Sequence, residues 1–488
     1  MEWLHFGIAK FIIDAHPCES FAIIDIDYNS KQFYKNQKII KFEKCWFYRD
    51  FLQNGVKTPD LEFLKKMEKK YKIDLWRIAL SERFFYQYNP YHIFSAIEVQ
   101  TILQNEIQLF DEILEQVKPD YLVTKLTDSH QSELLLRMCK AKGIRVLMMA
   151  STRLHNRYAI FDEYDKFDTR VIGNINDKER SIEELKDIVD KHNKSKALKS
   201  TYTKTESSIT RIKKYLKYLR LLDSTTTDYY AHLGKNKFSV ISQWMFFKRW
   251  YRRKFIDKKF LSKPEIKKPF VYFPLHVEPE RQLLMVAPFF DDQLEIIRNI
   301  ARSLPIDYRL IVKEHWMMEP RGWRDKSYYE QILKIPNVDL VHPSFDGEVL
   351  MKHSSLVVTI SGTSGFEATF YNKPVITFAD NSYSTLPSVY RIRAIEELPK
   401  IIRSAINEKV DFSALDSHVR TIEQNSFEID LRQLGIDFKN YFGLNVNTIK
   451  SDIDVPKMEK FLEEHKNEFS TIAEEHVKKI KKYTRSKD

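Results

Sequence analysis

The feature that most constrains the fold is the segment at residues 356–378, LVVTISGTSGFEATFYNKPVITF, where strand, turn, helix and strand signals follow one another directly. Its apolar, β-branched beginning at residues 356–360 is typical of a buried parallel strand. The turn that follows consists of residues small enough for a ligand to approach the backbone: Ser361, Gly362, Thr363, Ser364 and Gly365. A helix that begins there directs free N–H groups and its positive dipole end at one place, which favours a bound phosphate. The same residues also suit an ordinary capped helix that binds nothing.

Strand and helix signals alternate along most of the chain. In the second half, strands are predicted at residues 270–275, 308–313, 338–341, 356–360 and 375–378, with helices at about 291–303, 327–334, 346–353 and 363–371. In the first half, strands are predicted at residues 21–27, 38–42, 121–124 and 144–150, with helices at about 59–71, 92–117 and 129–142. This alternation predicts an α/β fold with two Rossmann-like parallel-sheet domains.

A charged, helical stretch with few strand signals separates these two domains and ends in a proline-containing segment near residues 264–269. The predicted organisation has four parts: an N-terminal α/β domain at residues 1–177, a helical, basic and aromatic insertion at 178–268, a C-terminal Rossmann-like domain at 269–410, and C-terminal helices with a basic tail at 411–488. At 488 residues, the chain is long enough for more than one core.

The net charge of +11 is concentrated in part in the insertion. Two basic clusters with interleaved aromatics lie there: Arg211, Lys213, Lys214, Lys217 and Arg220, and then Lys248, Arg249, Arg252, Arg253, Lys254, Lys258 and Lys259. Such a segment suits a solvated helix whose aromatics pack on the core, or an anionic membrane surface that attracts cations and admits aromatic rings. Nucleic acid suits this pattern less well and is not an expected partner.

The sequence predicts a cytoplasmic protein, attached at most peripherally to the inner face of the membrane. Cys18, Cys45 and Cys139 are scattered and odd in number, which argues against a disulfide framework and for a reducing compartment. The N-terminus lacks the pattern of a secretory signal, and no run approaches the roughly 18 apolar residues of a spanning helix.

Ligands of open parallel sheets bind beyond the carboxyl ends of the strands, so the residues that follow each strand are site candidates. Those that follow the first two strands of the second half are His276, Glu278 and Glu280, and then Lys313, at the strand end, and His315. Lys313 and His315 can offer positive charge to a diphosphate, and Glu367 can accept hydrogen bonds from ribose hydroxyls. Structural roles remain open for each of them: a hydrogen-bonding histidine, solvated loop carboxylates, or an acid favoured by the helix dipole.

Several motifs resemble those of the capsule and surface polysaccharide biosynthesis proteins: VKEH, NVDLVHP, VVTISGTSGFEATFYNKPVITF and EELP. The resemblance is good over residues 272–398 and weak in the N-terminal half. Two positions depart from the family pattern: Trp316 stands where proline usually follows the histidine, and Glu278 stands where glutamine is usual.

The resemblance implies a GT-B-like glycosyltransferase with the acceptor on the N-terminal domain and a nucleotide sugar on the C-terminal one. The donor would contact Lys313 and His315 as the basic motif, the turn from Ser361 to Gly365, and Glu367 at the ribose position. The same resemblance implies that no bound metal or other cofactor is required, because helix dipoles and basic side chains neutralise the leaving phosphate.

An inverting transfer needs a base for the acceptor hydroxyl, which in a GT-B arrangement normally comes from the N-terminal domain. Asp128, in the segment VTKLTDSHQSE, is the first candidate, with Glu280 as the second. Asp128 could instead cap the following helix. The predicted function is transfer of a sugar to a surface polysaccharide or lipid-linked glycan. The alternatives are a nucleotide-sugar 2-epimerase and a non-catalytic polysaccharide assembly or binding protein.

Overall fold

A computed structural model of the chain describes residues 3–25, 28–86, 92–154, 156–167, 179–195, 235–319, 321–442 and 453–485. The first basic cluster of the insertion, Arg211 to Arg220, lies outside these residues. The described residues form twelve strands, numbered in chain order: β1 Phe21–Ile24, β2 Lys44–Phe47, β3 Tyr121–Lys125, β4 Arg145–Ser151, β5 Arg157–Phe161, β6 Phe270–Pro274, β7 Arg309–Lys313, β8 Val338–Val341, β9 Leu356–Thr359, β10 Val375–Thr377, β11 Val389–Arg391 and β12 Phe427–Glu428.

The α-helices of the described residues are Trp3–Ala15, Tyr28–Asn36, Tyr48–Asn54, Leu61–Tyr71, Leu75–Leu80, Ala96–Val117, His130–Ala141, Ile182–Ser195, Lys235–Lys259, Arg281–Leu284, Gln293–Ser303, Lys326–Leu333, Gly347–His353, Thr363–Phe370, Leu398–Ala405, Phe412–Gln424, Leu431–Tyr441, Val455–Glu464 and Lys466–Arg485. Short 3₁₀ helices lie at Trp316–Met318, Ser382–Thr385 and Ile395–Glu397. In this part of the chain, no helix combines the length and the apolarity that a bilayer crossing requires.

The second half of the chain forms a parallel sheet with the order β11-β10-β9-β6-β7-β8. Residues alternate between its two faces, as the pleat requires: Val271 and Phe273 pack in one core, and Phe270 and Tyr272 in the other. Helices cover both faces, which explains why the strands are apolar throughout. The predicted α/β class and the parallel sheet of this half are confirmed.

The first half also contains a sheet, but its strands are mixed in direction. Its order is β12-β5-β4-β3, and only β3 and β4 run parallel to each other. A separate two-stranded parallel sheet joins β1 to β2. The strand β12 comes from the C-terminal part of the chain, so residues far apart in sequence complete this sheet.

The predicted strand at residues 38–42 is wrong, since the strand in this region is β2, at Lys44–Phe47. Gln37 explains the shift. Its side-chain oxygen accepts from the N–H of Ile40 at 2.9 Å and its side-chain nitrogen donates to the carbonyl of Ile40 at 2.9 Å. Both backbone groups of Ile40 are therefore used locally and are not available to a sheet.

The helix Lys235–Lys259 presents two different faces in its described C-terminal part. Ile256 and Phe260, which directly follows the helix, are buried in the core of the second sheet. Arg252 donates to the carbonyl of Trp323 at 2.9 Å, and Arg253 forms an ion pair with Glu319 at 2.5 Å. This part of the insertion is therefore docked on the C-terminal half.

Candidate functional site

The turn at residues 361–365 lies at the switch point of the second sheet. β6 is the first strand of this sheet along the chain; β7 and β8 lie on one side of it, and β9, β10 and β11 on the other. In open parallel sheets the ligand crevice lies where the strand order reverses, which in this sheet is between the carboxyl ends of β6 and β9. The turn follows β9 directly, so the topology places it at the usual ligand position of such sheets.

The backbone of the turn is arranged to present N–H groups. Gly362 is in an extended conformation just before the helix Thr363–Phe370, and its N–H donates to the Thr359 hydroxyl at 3.1 Å. Among the described residues, no acceptor is found for the N–H groups of Thr363 and Ser364. Thr363 is exposed and Ser364 is half-buried. Two amides and two hydroxyls are thus available to an anion at a helix N-terminus.

Gly365 is required by its neighbours. A Cβ at this position would lie 2.7 Å from the hydroxyl oxygen of Tyr383 and 2.9 Å from Cγ2 of Thr359, which is closer than van der Waals contact allows. The glycine therefore lets the helix pack closely on the end of the sheet, as glycines do where elements approach each other.

His276 connects the ends of β6 and β9. Its Nε2 accepts from the backbone N–H groups of Ile360 at 3.2 Å and Ser361 at 3.4 Å, and lies 3.1 Å from the Thr359 hydroxyl. Burial, together with the charges of Arg324 and Arg153, lowers the pKa of His276 to about 3. The ring is therefore neutral, and it fixes the beginning of the turn.

Lys313 and His315 lie farther from the turn. β7 is the second neighbour of β9, so its end is about two strand spacings, roughly 10 Å, away. Lys313 is buried, and its ammonium donates to the carbonyl of Pro343 at 3.1 Å. Nδ1 of His315 accepts from the N–H of Met317 at 3.1 Å. Glu367 is half-buried on the helix after the turn. Their predicted roles toward a donor stay predictions.

Glu278 belongs to a buried charge network. Its carboxylate accepts from Arg324 at 3.3 Å and from Gln293. Glu314, fully buried, accepts from both Arg324 and the Tyr329 hydroxyl, the latter at 2.7 Å. This network anchors the loops after β6 and β7 to each other. The sequence analysis singled out Glu278 but did not identify Arg324 as its partner.

The two candidate bases lie on segments that touch each other. Arg281 donates to the carbonyl of Thr127, the residue before Asp128. Asp128 is exposed and forms an ion pair with Lys125 at 3.3 Å. Glu280 is half-buried, and no hydrogen bond to its carboxylate is found among the described residues. Burial raises the pKa of Glu280, although the charge of Arg321 opposes the effect.

The segment from Glu280 to Gln282 also contacts the turn. The hydroxyl of Ser361 donates to the carbonyl of Gln282 at 2.8 Å. The same short segment therefore joins the turn on one side and the Asp128 loop of the N-terminal half on the other. The turn at residues 361–365 and the two candidate carboxylates, one from each half of the chain, therefore lie on segments that this short segment connects.

The structure adds four residues that the sequence analysis missed: Arg153, Asp165, Asn381 and Tyr383. Arg153 and Asp165 belong to the N-terminal half, yet both contact the segment after β10. Tyr383 donates to the carbonyl of Gly362 at 2.8 Å. The sequence could have indicated two of them, because Arg153 and Asn381 both follow predicted strands, and ligands of open parallel sheets bind beyond the carboxyl ends of the strands.

In the described part of the chain, no group of three or more His, Cys, Asp or Glu side chains is arranged to hold a metal ion.

The family model described as "Capsule polysaccharide biosynthesis protein" matches residues 176–387, which confirms the resemblance over residues 272–387 and extends it toward the N-terminus. No curated protein matches the sequence significantly.

Three solved structures illustrate the likeness to known folds. KpsC from Thermosulfurimonas dismutans, a beta Kdo 2,7 transferase, is 12% identical, with 71% of this chain and 87% of that chain covered and a TM-score of 0.30. The Neisseria meningitidis UDP-GlcNAc 2-epimerase bound to UDP-GlcNAc is 13% identical, with 83% and 99% covered and a TM-score of 0.28. Anabaena Alr3699/HepE in complex with UDP and glucose is 16% identical, with 37% and 50% covered and a TM-score of 0.24. At these scores, function has to be argued from the residues of this chain.

Proposed function

The chain resembles the capsule polysaccharide biosynthesis proteins, and on that premise we propose that it is a GT-B-like glycosyltransferase of surface polysaccharide synthesis. It transfers a sugar from a nucleotide-sugar donor to a glycan or lipid-linked acceptor. The observation that carries this proposal is the meeting of the turn at residues 361–365, the segment at residues 280–282 and the Asp128 loop. The turn supplies a phosphate site, the segment at residues 280–282 supplies the carboxylate of Glu280, and the Asp128 loop supplies a surface of the N-terminal half.

The donor phosphate binds at the turn. The N–H groups of Thr363 and Ser364, their hydroxyls and the helix dipole stabilise its negative charge, and this stabilisation grows as the sugar–phosphate bond breaks. Neutral His276 fixes the beginning of the turn by accepting from the N–H groups of Ile360 and Ser361. Glu367 serves the ribose hydroxyls, and Lys313 and His315 belong to the wall of the donor site at the end of β7.

Glu280 is the better of the two candidate bases. In an inverting transfer, the acceptor oxygen forms a bond to the anomeric carbon, the bond from that carbon to the phosphate oxygen breaks, and the acceptor proton passes to a carboxylate. A carboxylate whose pKa is raised by burial holds that proton more firmly than an exposed one. Asp128 is exposed and paired with Lys125, which suits contact with the acceptor better than proton transfer.

The helix Lys235–Lys259 is proposed to bring the enzyme to an anionic membrane surface, where a lipid-linked acceptor resides. Phe247, Trp250 and Tyr251 on this helix are exposed by 69%, 50% and 55%. Lys254 lies over the ring of Trp250 at 3.8 Å. Exposed aromatic rings beside lysines suit the interface of a membrane with anionic headgroups.

Nucleotide binding tests the proposal. The stability of the purified protein is followed by thermal unfolding with UDP, CMP, GDP, dTDP and ADP and with their common sugar conjugates. A ligand at about 100 times its Kd stabilises the native state by about 2.7 kcal/mol. We expect one nucleotide to raise the Tm of the wild type and to raise that of Ser364→Ala much less.

Ser404→Ala is the matched control, since Ser404 is an exposed serine on another helix of the same half. It should respond to the nucleotide as the wild type does. A wild type that none of these nucleotides stabilises, or a Ser364→Ala variant with the full response, would contradict the donor site.

A further inference from the structure

Arg153 is a buried arginine that the N-terminal half inserts into the C-terminal half. It lies in the turn between β4 and β5 and is 8% exposed. Its Nε donates to Asp165 at 3.0 Å, within its own half. Its other two nitrogens reach across: Nη1 donates to the carbonyl of Ser361 at 3.0 Å and Nη2 to Oδ1 of Asn381 at 2.8 Å.

A second residue holds the next carbonyl of the turn. Tyr383 donates its hydroxyl to the carbonyl of Gly362 at 2.8 Å, and its ring lies 5.2 Å from the Arg153 guanidinium. Asp165 also accepts from the N–H of Ser382 at 3.0 Å, which ties the segment that carries Tyr383 to the same pair. Arg153 therefore holds the carbonyl of Ser361 directly, whereas Asp165 supports the carbonyl of Gly362 only indirectly, through the segment that carries Tyr383.

The orientation of these carbonyls matters for anion binding. In a trans peptide, the C=O and the N–H of the same unit point in opposite directions. When the carbonyl of Gly362 is held toward Tyr383, the N–H of Thr363 faces the other side, where the phosphate would lie. A carbonyl oxygen rotated to that side would repel the phosphate instead.

Arg153 remains charged in this buried place. Burial alone would lower its pKa, but the nearby carboxylate of Asp165 outweighs the effect and raises the pKa above the ordinary value. A charged donor forms stronger hydrogen bonds to carbonyls than a neutral one.

We propose that Arg153 is a positioning residue for the phosphate turn: from the N-terminal half it holds the carbonyl of Ser361 directly and, through Asp165, supports the segment whose Tyr383 holds the carbonyl of Gly362, so that the N–H of Thr363 faces the donor. Donor binding then depends on the docking of the two halves. The part of this proposal that concerns the donor rests on the proposed function, whereas the effect on the turn backbone does not.

The test compares Arg153→Ala, Arg153→Lys and Arg157→Ala. Arg157 is the matched control, because it lies in the same hairpin and reaches Ser426 at 3.1 Å and Glu428 at 3.0 Å, but does not touch the turn. The affinity for UDP, or for whichever of the five nucleotides stabilises the wild type most, is measured by calorimetry. Hydrogen exchange is measured on peptides that cover residues 359–370.

We expect Arg153→Ala to weaken nucleotide binding by roughly 10- to 100-fold, the loss typical of a charged hydrogen bond. Arg153→Lys should fold, but it should bind the nucleotide more weakly than the wild type does. One ammonium group cannot reach Asp165, the carbonyl of Ser361 and Asn381 together. Both variants should speed exchange in the turn. Millimolar guanidinium should restore binding in Arg153→Ala only, a rescue that general destabilisation would not show. Arg157→Ala should keep the wild-type affinity.

Two results distinguish a failure of the donor assignment from a failure of the positioning role of Arg153. If the wild type binds none of the nucleotides, the donor assignment fails, and exchange in the turn still decides whether Arg153 positions it. If Arg153→Ala and Arg153→Lys keep wild-type exchange at residues 359–370 and bind within about twofold of the wild type, the positioning role is overturned, whatever the function.

Discussion

Glu280 and Asp128 carry the same functional group in two different environments. Asp128 is exposed and paired with Lys125, so water and a cation stabilise its charge. Burial raises the pKa of Glu280, so its charged form is disfavoured in the folded protein relative to the unfolded chain. The unfolded pKa of a glutamate is about 4.3. Stability therefore falls as pH rises from that value through the higher folded pKa, and Glu280 carries this cost at neutral pH.

We expect Glu280→Gln to lower kcat by roughly 10²- to 10⁴-fold, the usual contribution of a general base, with nucleotide affinity unchanged. Its Tm at neutral pH should equal or exceed that of the wild type, because the substitution removes the unfavourable buried charge. In the wild type, kcat/KM should rise with pH through the pKa of Glu280. Asp128→Asn is the comparison, with a smaller loss expected. A large loss in Asp128→Asn and a small one in Glu280→Gln would move the base to Asp128.

The sequence could indicate which residue types follow each strand, but not their surroundings. The positions of His276, Glu278 and Glu280 follow from the strand pattern alone. Whether a carboxylate there is paired or desolvated depends on residues brought close by the fold. Arg153 and Ser361 are 208 positions apart, and no local pattern connects them.

At the scale of elements, the helix Lys235–Lys259 has two faces that differ in their surroundings. At about 100° per residue, Phe247, Trp250 and Lys254 fall on one side. Arg252 and Ile256 fall on the opposite side and Arg253 at the boundary between the two sides, and all three contact the C-terminal half. The sequence predicts a basic, aromatic and helical segment, and within it residues 235–259 form a helix. It could not tell which cations anchor the helix, because both faces contain arginine or lysine and aromatic residues.

This division gives a membrane prediction. The double variant Phe247→Ala/Trp250→Ala should sediment with phosphatidylglycerol-containing vesicles at least tenfold less than the wild type, since two exposed rings are lost, each worth about 1.5–3 kcal/mol when buried. Arg252→Ala should instead lower the Tm, because Arg252 anchors the helix. Phe289→Ala/Ile306→Ala, which removes exposed apolar side chains elsewhere, is the control and should sediment as the wild type does. Equal sedimentation of all variants would count against the helix as a membrane contact.

At the scale of the whole molecule, both ends of the chain build the N-terminal half. The helix Lys466–Arg485 packs against Trp3–Ala15, and the ring of Phe469 stacks on Phe11 at 5.6 Å. A Cβ on Gly7 would lie 2.3 Å from the Phe469 ring, so the ring occupies the space that a side chain at Gly7 would need. The sequence indicates the apolar faces of such helices, but which faces meet is a property of the complete fold.

Because Phe469 is 1% exposed in this shared core, Phe469→Ala should lower the free energy of unfolding by about 3–5 kcal/mol. Trp3 belongs to the same core and stacks on Tyr34 at 5.5 Å, so it contributes to the tryptophan fluorescence that follows unfolding in urea, with far-UV circular dichroism as the second probe. Phe289→Ala, at a position 82% exposed, should change little. Nucleotide affinity at low temperature should be retained in both variants, since the second sheet is intact. If Phe469→Ala were as mild as Phe289→Ala, the C-terminal helices would be a peripheral addition, and the N-terminal half would have to owe its stability to its own strands and helices.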